Sequence, residues 1–487
     1  MTKSLVFLLP LLLVLTNSGQ QAPVNPALAD SPWPTYHHDG YAQSASPLRG
    51  PEPGDGIEVQ TLRTDLVGAS PWTLFSPLYP DGSRAVYGAT LRGIYKARIA
   101  GPSFAMIDVW EPVAWRGFLA SASVMYNIIL LRDGALVAAD PRRRRILRLV
   151  DDNPRDSRSP LRLDRVFEFP SDVGRSAHVN VASDGWLIEL TDKGWLIAIS
   201  PDFTEHRRYP LSVGSGDLDG HNAFPIDEDG NIFVVSWRFL TKVRWTGNEF
   251  QPVWRAPYDF LGPGCENRRR GGAFRETMRA LRGETCTGSG TTPTLIGRGQ
   301  DDKLVVVADG HAPANNLVAF WRDDPPADWR AIPGQDPRVA GIAQLPHATP
   351  LGRGFSVENS PAAIGHDVFV AQWGGIDPEC DQPRGVQMVR WIPEERRLRV
   401  IWANPDVPLN GVITASSGSN LIYSSGRLGC IYTFFALDRR TGAVRIQKPL
   451  GDDPIFVDGG NNISLNDDRS LVFGSGSGLV RLRPTLP

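Results

Sequence analysis

Short apolar runs separated by polar corners recur along most of the chain. One copy reads Phe75-Ser76-Pro77-Leu78, turns at Asp81-Gly82, and continues through Ala85-Val86-Tyr87 and Gly93-Ile94-Tyr95. Another reads His178-Val179-Asn180-Val181, turns at Asp184-Gly185, and continues through Trp186-Leu187-Ile188-Glu189-Leu190 and Gly194-Trp195-Leu196-Ile197-Ala198-Ile199. Further copies centre on Asn231 to Val235, Leu304 to Val307, Asp367 to Val370, Asn420 to Tyr423 and Leu471 to Phe473. Runs this short, rich in Val, Ile and aromatic residues and bounded by Gly and Asp, read as β-strands joined by tight turns.

Unit starts near Ser76, Ser121, Asn180, Phe224, Thr292, Asn359, Thr414 and Asn462 are spaced by 45, 59, 44, 68, 67, 55 and 48 residues. Such a period, with inserted loops, predicts eight four-stranded antiparallel blades set radially, an arrangement that protects the edges of each small sheet. Trp110, Trp254 and Trp402 fall at the same late phase of three units. The last unit, ending near Val480-Arg481-Leu482-Arg483, is short of an outer strand, and Gly56 to Leu62 precedes the first full unit and can supply it. The fold class expected is therefore all-β: an eight-bladed β-propeller whose ring is closed by pairing the N- and C-terminal strands.

The first residues follow a different pattern. Lys3, the apolar stretch Leu5 to Leu15 and the small-x-small triplet Ala27-Leu28-Ala29 predict a signal peptide over 1–29, leaving 30–487 as a single propeller domain. The apolar stretch is interrupted by Pro10 and falls short of the roughly 20 residues that span a bilayer, so export to the periplasm or medium is expected without membrane insertion. Cys265, Cys286, Cys380 and Cys430 are an even set, which suggests two disulfides in an oxidising compartment. Pairing Cys265 with Cys286 closes a local excursion and is the preferred of three arrangements. With 51 Lys+Arg against 53 Asp+Glu, there is no electrostatic ground to expect nucleic acid, and a monomer acting on a small molecule is expected.

Two stretches resemble the quinoprotein-like β-propellers, a superfamily that includes dehydrogenases using pyrroloquinoline quinone and non-enzymatic relatives. Trp33-Pro34-Thr35-Tyr36-His37-His38-Asp39, followed by Ser44, is similar to the opening of exported members. Ala436-Leu437-Asp438-Arg439-Arg440-Thr441-Gly442-Ala443-Val444 matches the repeat's Ala-Leu-Asp-x-x-Thr-Gly turn, and Ala138-Ala139-Asp140-Pro141 is a partial copy. Vicinal cysteines and Cys-x-x-Cys-His, which serve quinone and haem in many members, are absent from the sequence.

In antiparallel blades the start of the first strand and the end of the second lie on one face of the ring. Polar residues recur at both phases: His178, His221, Asn222, Thr292, Glu358, Asn359 and Asn462 near first-strand starts, and Asp309, His311, Gln372, Trp373 and Arg427 after second strands. Together they predict a funnel lined by hydrogen-bonding groups, the usual setting of a ligand site. Glu358, Asn359, Asn222 and Asn462 compose an oxygen set suited to Ca²⁺. By resemblance, Glu358 and Asn359 would hold calcium against the quinone (PQQ) and Asp309 would act as base; from their place in the funnel, His311 is expected beside that base and Thr292, His178, His221, Gln372, Trp373 and Arg427 against the cofactor. Strand-end capping accounts for each of these residues equally well taken singly. Three functions follow: oxidation of alcohols or sugars with PQQ and calcium, a metal-dependent hydrolase or lactonase using the same carboxylate and amides, or a non-catalytic ligand-binding or scaffold propeller.

Overall fold

A computed structural model of the chain describes residues 21–63, 72–89, 93–111, 128–140, 144–211, 222–236, 238–258, 289, 291–309, 315–346, 359–372, 380, 384–457, 463–475 and 477–485. Within them the backbone forms eight antiparallel sheets, the blades of a β-propeller. Their first strands are Leu74–Phe75, Ile128–Leu130, Ser176–Val181, the bridge at Ile226, Thr294–Ile296, Ala362–Ile364, Thr414–Ser416 and Ser464–Leu465, which define blades 1 to 8. Where they are described, the starts expected from sequence lie within a few residues of these strands. Blade 4 pairs three strands and completes itself with the Ile226 bridge to Ile232. Blade 7 gains Ala45–Ser46 as a parallel fifth strand.

Burial explains the strand types. The second strands are the most deeply covered and several read as unbroken apolar runs, such as the fully buried Leu304–Ala308, while third strands such as Phe239–Trp245 mix buried apolar and polar residues. Outermost strands face water on one side and alternate more, as in Arg397–Asn404. Blades then pack face to face through apolar side chains; Ile296, Val306 and Ala319 of blade 5, for instance, share one cluster with Val368, Val389 and Trp391 of blade 6.

The ring closes as the sequence predicts. Gly56–Arg63 pairs along its whole length with Gly478–Thr485, from Gly56 opposite Thr485 to Arg63 opposite Gly478. Arg481, fully buried, donates to Gln60 Oε1 at 3.1 Å and to Asp468 at 2.5 Å, so the closing strand carries its own charge compensation.

Outer-strand tryptophans fasten neighbouring blades. Trp254 Nε1 donates to the Arg322 carbonyl at 3.3 Å, from blade 4 to blade 5, and Trp402 Nε1 to the Arg439 carbonyl at 3.0 Å, from blade 6 to blade 7. The second bond explains the Asp-x-x-Thr-Gly turn. Asp438 Oδ1 accepts from the Arg440 and Thr441 amides, and Gly442 adopts φ +70° with the Trp402 ring so close that a β-carbon would sit 2.4 Å from it. Only glycine satisfies both conditions.

Cys380 and Cys430 form a disulfide joining the segment after the second strand of blade 6 to a hairpin of blade 7. Cys265 and Cys286 lie outside the described residues.

Candidate functional site

Hydrogen bonds connect the residues near the first-strand starts of blades 4, 5 and 6. Asn222 of blade 4 donates through Nδ2 to the Ser289 carbonyl at 2.8 Å, and Ser289 Oγ meets Thr291 Oγ1 at 2.9 Å. Thr291 Oγ1 accepts the Ala308 amide, which places Asp309 beside it at the end of the second strand. The Thr292 amide donates to Ser360 Oγ of blade 6 at 2.9 Å, and the neighbouring Asn359 donates to the Gln372 carbonyl at 3.3 Å. Five residues expected at the site, Asn222, Thr292, Asp309, Asn359 and Gln372, are therefore brought to one face. His178 lies on the first strand of blade 3 and Arg427 on the second strand of blade 7, its guanidinium 5.1 Å from the Tyr432 ring. His221, His311, Glu358, Trp373 and Asn462 lie outside the described residues.

These bonds run mostly from blade to blade. Asn180 reaches the Phe224 carbonyl at 2.9 Å, Thr294 Oγ1 the Pro361 carbonyl at 2.9 Å, Thr414 Oγ1 the Ile463 carbonyl at 2.7 Å and Ser464 Oγ the Thr73 carbonyl at 2.6 Å. The polar phase that sequence reads as a ligand lining thus also stitches the inner ring, satisfying backbone groups that no sheet partner reaches.

Asp309 departs from the role of a free base. One carboxylate oxygen accepts the Asn316 amide at 2.7 Å and the other accepts Asn316 Nδ2 at 2.7 Å, while its own carbonyl accepts Asn315 Nδ2. Both oxygens are committed to holding the loop between two strands. Each Asp309 carboxylate oxygen thus already accepts one bond from Asn316, which a ligand at this site would have to share. Glu358 and Asn462, two of the four residues expected to hold calcium, lie outside the described residues, and no chemical step is derived through a calcium-held quinone. Among the described residues no group of three or more His, Cys, Asp or Glu is placed to hold a metal.

The floor of the ring is built by the N-terminal segment. Carbonyls of Trp33, Pro34, Gly40, Tyr41, Gln43 and Ser44 accept amides of Phe75, Leu130, Ile226, Leu295, Ala363 and Ala415, taking in blades 1, 2, 4, 5, 6 and 7 at 2.8–3.0 Å. Asn25 Nδ2 reaches the Val181 carbonyl of blade 3 at 2.8 Å, and Arg469 of blade 8 reaches the Gly50 carbonyl at 3.1 Å. One segment thus bonds all eight blades as a hub. The Trp-Pro-x-Tyr-x-His-Asp opening is its centre: His37, buried, holds Ser44 Oγ through Nδ1 at 2.9 Å and Thr292 Oγ1 through Nε2 at 3.2 Å. His37, His38, Ala42 and Ser44 all adopt positive φ, a conformation costing roughly 1–3 kcal/mol apiece for such residues and kept only where the surroundings over-determine it. Beneath the hub opens a cavity of about 610 Å³, bordered by Leu28, His38, Gln43 and Arg132 among others.

Sequence reasoning missed Glu189. It stands on the second strand of blade 3, fully buried; Oε1 accepts Ser176 Oγ at 2.6 Å and the Ala177 amide at 2.9 Å, while Oε2 meets no partner. Burial raises its carboxyl to about 8, against the lowering effect of those bonds, so it is largely protonated at neutral pH. Its field reaches the buried phenol of Tyr36 in the hub, which burial also pushes up. A single acid inside the apolar run Trp186 to Leu190 was the available signal. A buried acid with a shifted pKa beside the ring's floor is a candidate functional group in its own right.

No protein-family model matches the chain. An uncharacterized protein of Archaeoglobus fulgidus is 30% identical over 448 residues, an alignment covering 87% of this chain and 81% of the archaeal protein. The chain belongs to the family of that protein. Among solved structures, BamB from Moraxella catarrhalis superposes with a TM-score of 0.51 at 14% identity, covering 88% of this chain and 99% of BamB. A europium-containing methanol dehydrogenase also superposes with a TM-score of 0.51, at 11% identity, covering 93% of this chain and 89% of the enzyme. Both likenesses support the β-propeller fold, and at these identities they speak to fold alone. Among the described residues no helix is long and apolar enough to cross a membrane.

Proposed function

We propose that this protein is an exported, non-redox propeller that binds a small molecule in its funnel. The hub carries the reading. By bonding the first strands or inner turns of all eight blades it turns an annulus into a cup, whose wall carries amide and hydroxyl groups of blades 4 to 6, with Thr292 in reach of His37. A cup walled by neutral hydrogen-bonding groups suits recognition of a polar ligand, while Asp309, the base of the quinone reading, has each carboxylate oxygen bonded to Asn316. The chain's leader-like start supports an extracytoplasmic setting.

The convergence of Asn222, Thr292 and Asn359, together with the methanol dehydrogenase likeness in fold, favours an oxidoreductase as the second reading. One experiment separates the two. Protein recovered from the extracytoplasmic fraction is denatured and its released small molecules identified by mass spectrometry and absorption, in parallel with titration by PQQ and Ca²⁺. A non-quinone ligand, with no saturable PQQ binding at micromolar concentration, is expected. Stoichiometric quinone with dye-linked oxidation of alcohols or sugars would overturn the proposal.

A further inference from the structure

The residues on either side of Ala29 are bonded into the ring as firmly as those of the hub. The Ala27 carbonyl accepts the Arg132 amide at 2.8 Å, and the Ala29 amide donates to the Leu130 carbonyl at 2.9 Å, so this stretch pairs with the first strand of blade 2. Leu28 is only 6% exposed and packs in the core shared by blades 2 and 3. Asn25 crosses to Val181 of blade 3, and its Oδ1 also accepts the Ala27 amide at 2.9 Å. Ala22 lies against the core between blades 4 and 5, where Arg298 donates to the Gln21 carbonyl at 3.0 Å. From Gln21 to Ala29 the chain is a strap across blades 2 to 5 and one wall of the cavity under the hub.

A cut after Ala29 would remove all of these contacts, leaving Leu130 and Val181 carbonyls and the Arg132 amide unpartnered and exposing an apolar seam. The sequence offers another site. Directly after the apolar stretch Leu5 to Leu15 stands a second small-x-small triplet, Thr16-Asn17-Ser18, followed by Gly19. It lies closer to that stretch than Ala27-Leu28-Ala29 does.

We propose that the leader is removed upstream of Gln21, after Ser18, and that Gln21 to Ala29 stay with the exported protein as a structural strap. The reaction is a hydrolysis: the exporting cell's leader peptidase adds water across the Ser18–Gly19 peptide bond, leaving a carboxylate on the leader and a free amine on Gly19. The inference concerns the chain's end and stands or falls separately from what the funnel binds.

The test is to express the full chain, recover it from the extracytoplasmic fraction, and determine its first residue by N-terminal sequencing and intact mass. A start at Gly19, or within two residues of it, is expected. A start at Asp30 or beyond, or retention of Met1, overturns the proposal. Ser18→Phe sharpens the result, because a bulky residue there blocks the upstream cut: precursor should accumulate, whereas unchanged processing would show that the cut lies elsewhere. Chains beginning at Gly19 and at Asp30, expressed without a leader and compared by thermal unfolding, supply a second reading. The longer chain is expected to melt at the higher temperature, and equal midpoints would remove the strap's role.

Discussion

The inner and outer seams of this ring hold blades together by different chemistry. At the inner seam the links are neutral and short: Thr414 to Ile463 and Asn180 to Phe224, each a side-chain bond to a neighbouring carbonyl, and Ser464 to Thr73, where Ser464 Oγ donates to the carbonyl and accepts from Thr73 Oγ1. Farther out the links carry charge or large rings. Lys96 of blade 1, wholly buried, donates to Asp151 of blade 2 at 2.6 Å and to the Ser159 carbonyl at 2.9 Å, while Tyr79 bonds the same carboxylate at 2.5 Å. Lys242 of blade 4 repeats the device on blade 5, reaching the Arg322 carbonyl at 2.9 Å and Asp323 at 3.2 Å. Both lysines sit on third strands, Lys96 between Tyr95 and Ala97 and Lys242 between Thr241 and Val243. A neutral stitch can be lost with little penalty, whereas a buried charge that loses its partner leaves an ion in a poor solvent.

The widest gap between the seams should appear on removing one member of the buried pair. Asp151→Ala is expected to cost about 3–5 kcal/mol of unfolding free energy, read by denaturant titration. Replacing both Lys96 and Asp151 by apolar residues of similar size should recover most of that loss. A double variant no better than the single one would show that the charges themselves stabilise the seam.

Next in size is the covalent link between blades 6 and 7. Cys430→Ser, or reduction, should lower stability by about 2–4 kcal/mol, measured as the difference between oxidised and reduced unfolding curves.

Glu189 belongs to neither class, since its carboxyl is buried against the hub with one oxygen unbonded. Its folded value of about 8 lies above an ordinary value of 4.5, so the folded chain holds a proton that the unfolded chain releases. This contribution is complete below about pH 4.5 and is lost as pH rises through 8. Stability should therefore fall by about 3 kcal/mol between pH 5 and 8 from this residue. Glu189→Gln, which cannot ionise, should flatten that slope, and an unchanged pH profile would refute the assignment.

Smallest is the neutral stitch. Thr414→Val keeps the shape and removes the bond to Ile463, and about 1 kcal/mol is expected in the same titration. A loss as large as that of Asp151→Ala would abolish the contrast between the seams.

The repeats, the ring-closing strand and the shared late phase of Trp254 and Trp402 could be read before any coordinates, whereas the bonds those tryptophans make to the next blade could not. Candidate site residues were legible only as a phase. Asn222, Thr292 and Asn359 do gather at one face, but their bonds to Ser289, Ser360 and Gln372 could not be seen, since each partner's position depends on its blade's insertion lengths. Asp309 looks equally like a base or a loop anchor until Asn316 is placed against it. Glu189 gives no such sign, because one acid in an apolar run does not say whether its side chain reaches water.

What the amino-acid order determined alone is the repeating unit: where strands begin, where Gly and Asp turn them, and how many blades the chain makes. These depend on residues a few positions apart, whose alternation and turn preferences act before distant parts meet. Tertiary structure decided the hub and the protonation of a single carboxyl. Threading residues 25 to 50 past all eight blades, and burying Glu189 beside them, are consequences of closing the ring, and closure brings together side chains separated by hundreds of residues, which no local preference encodes.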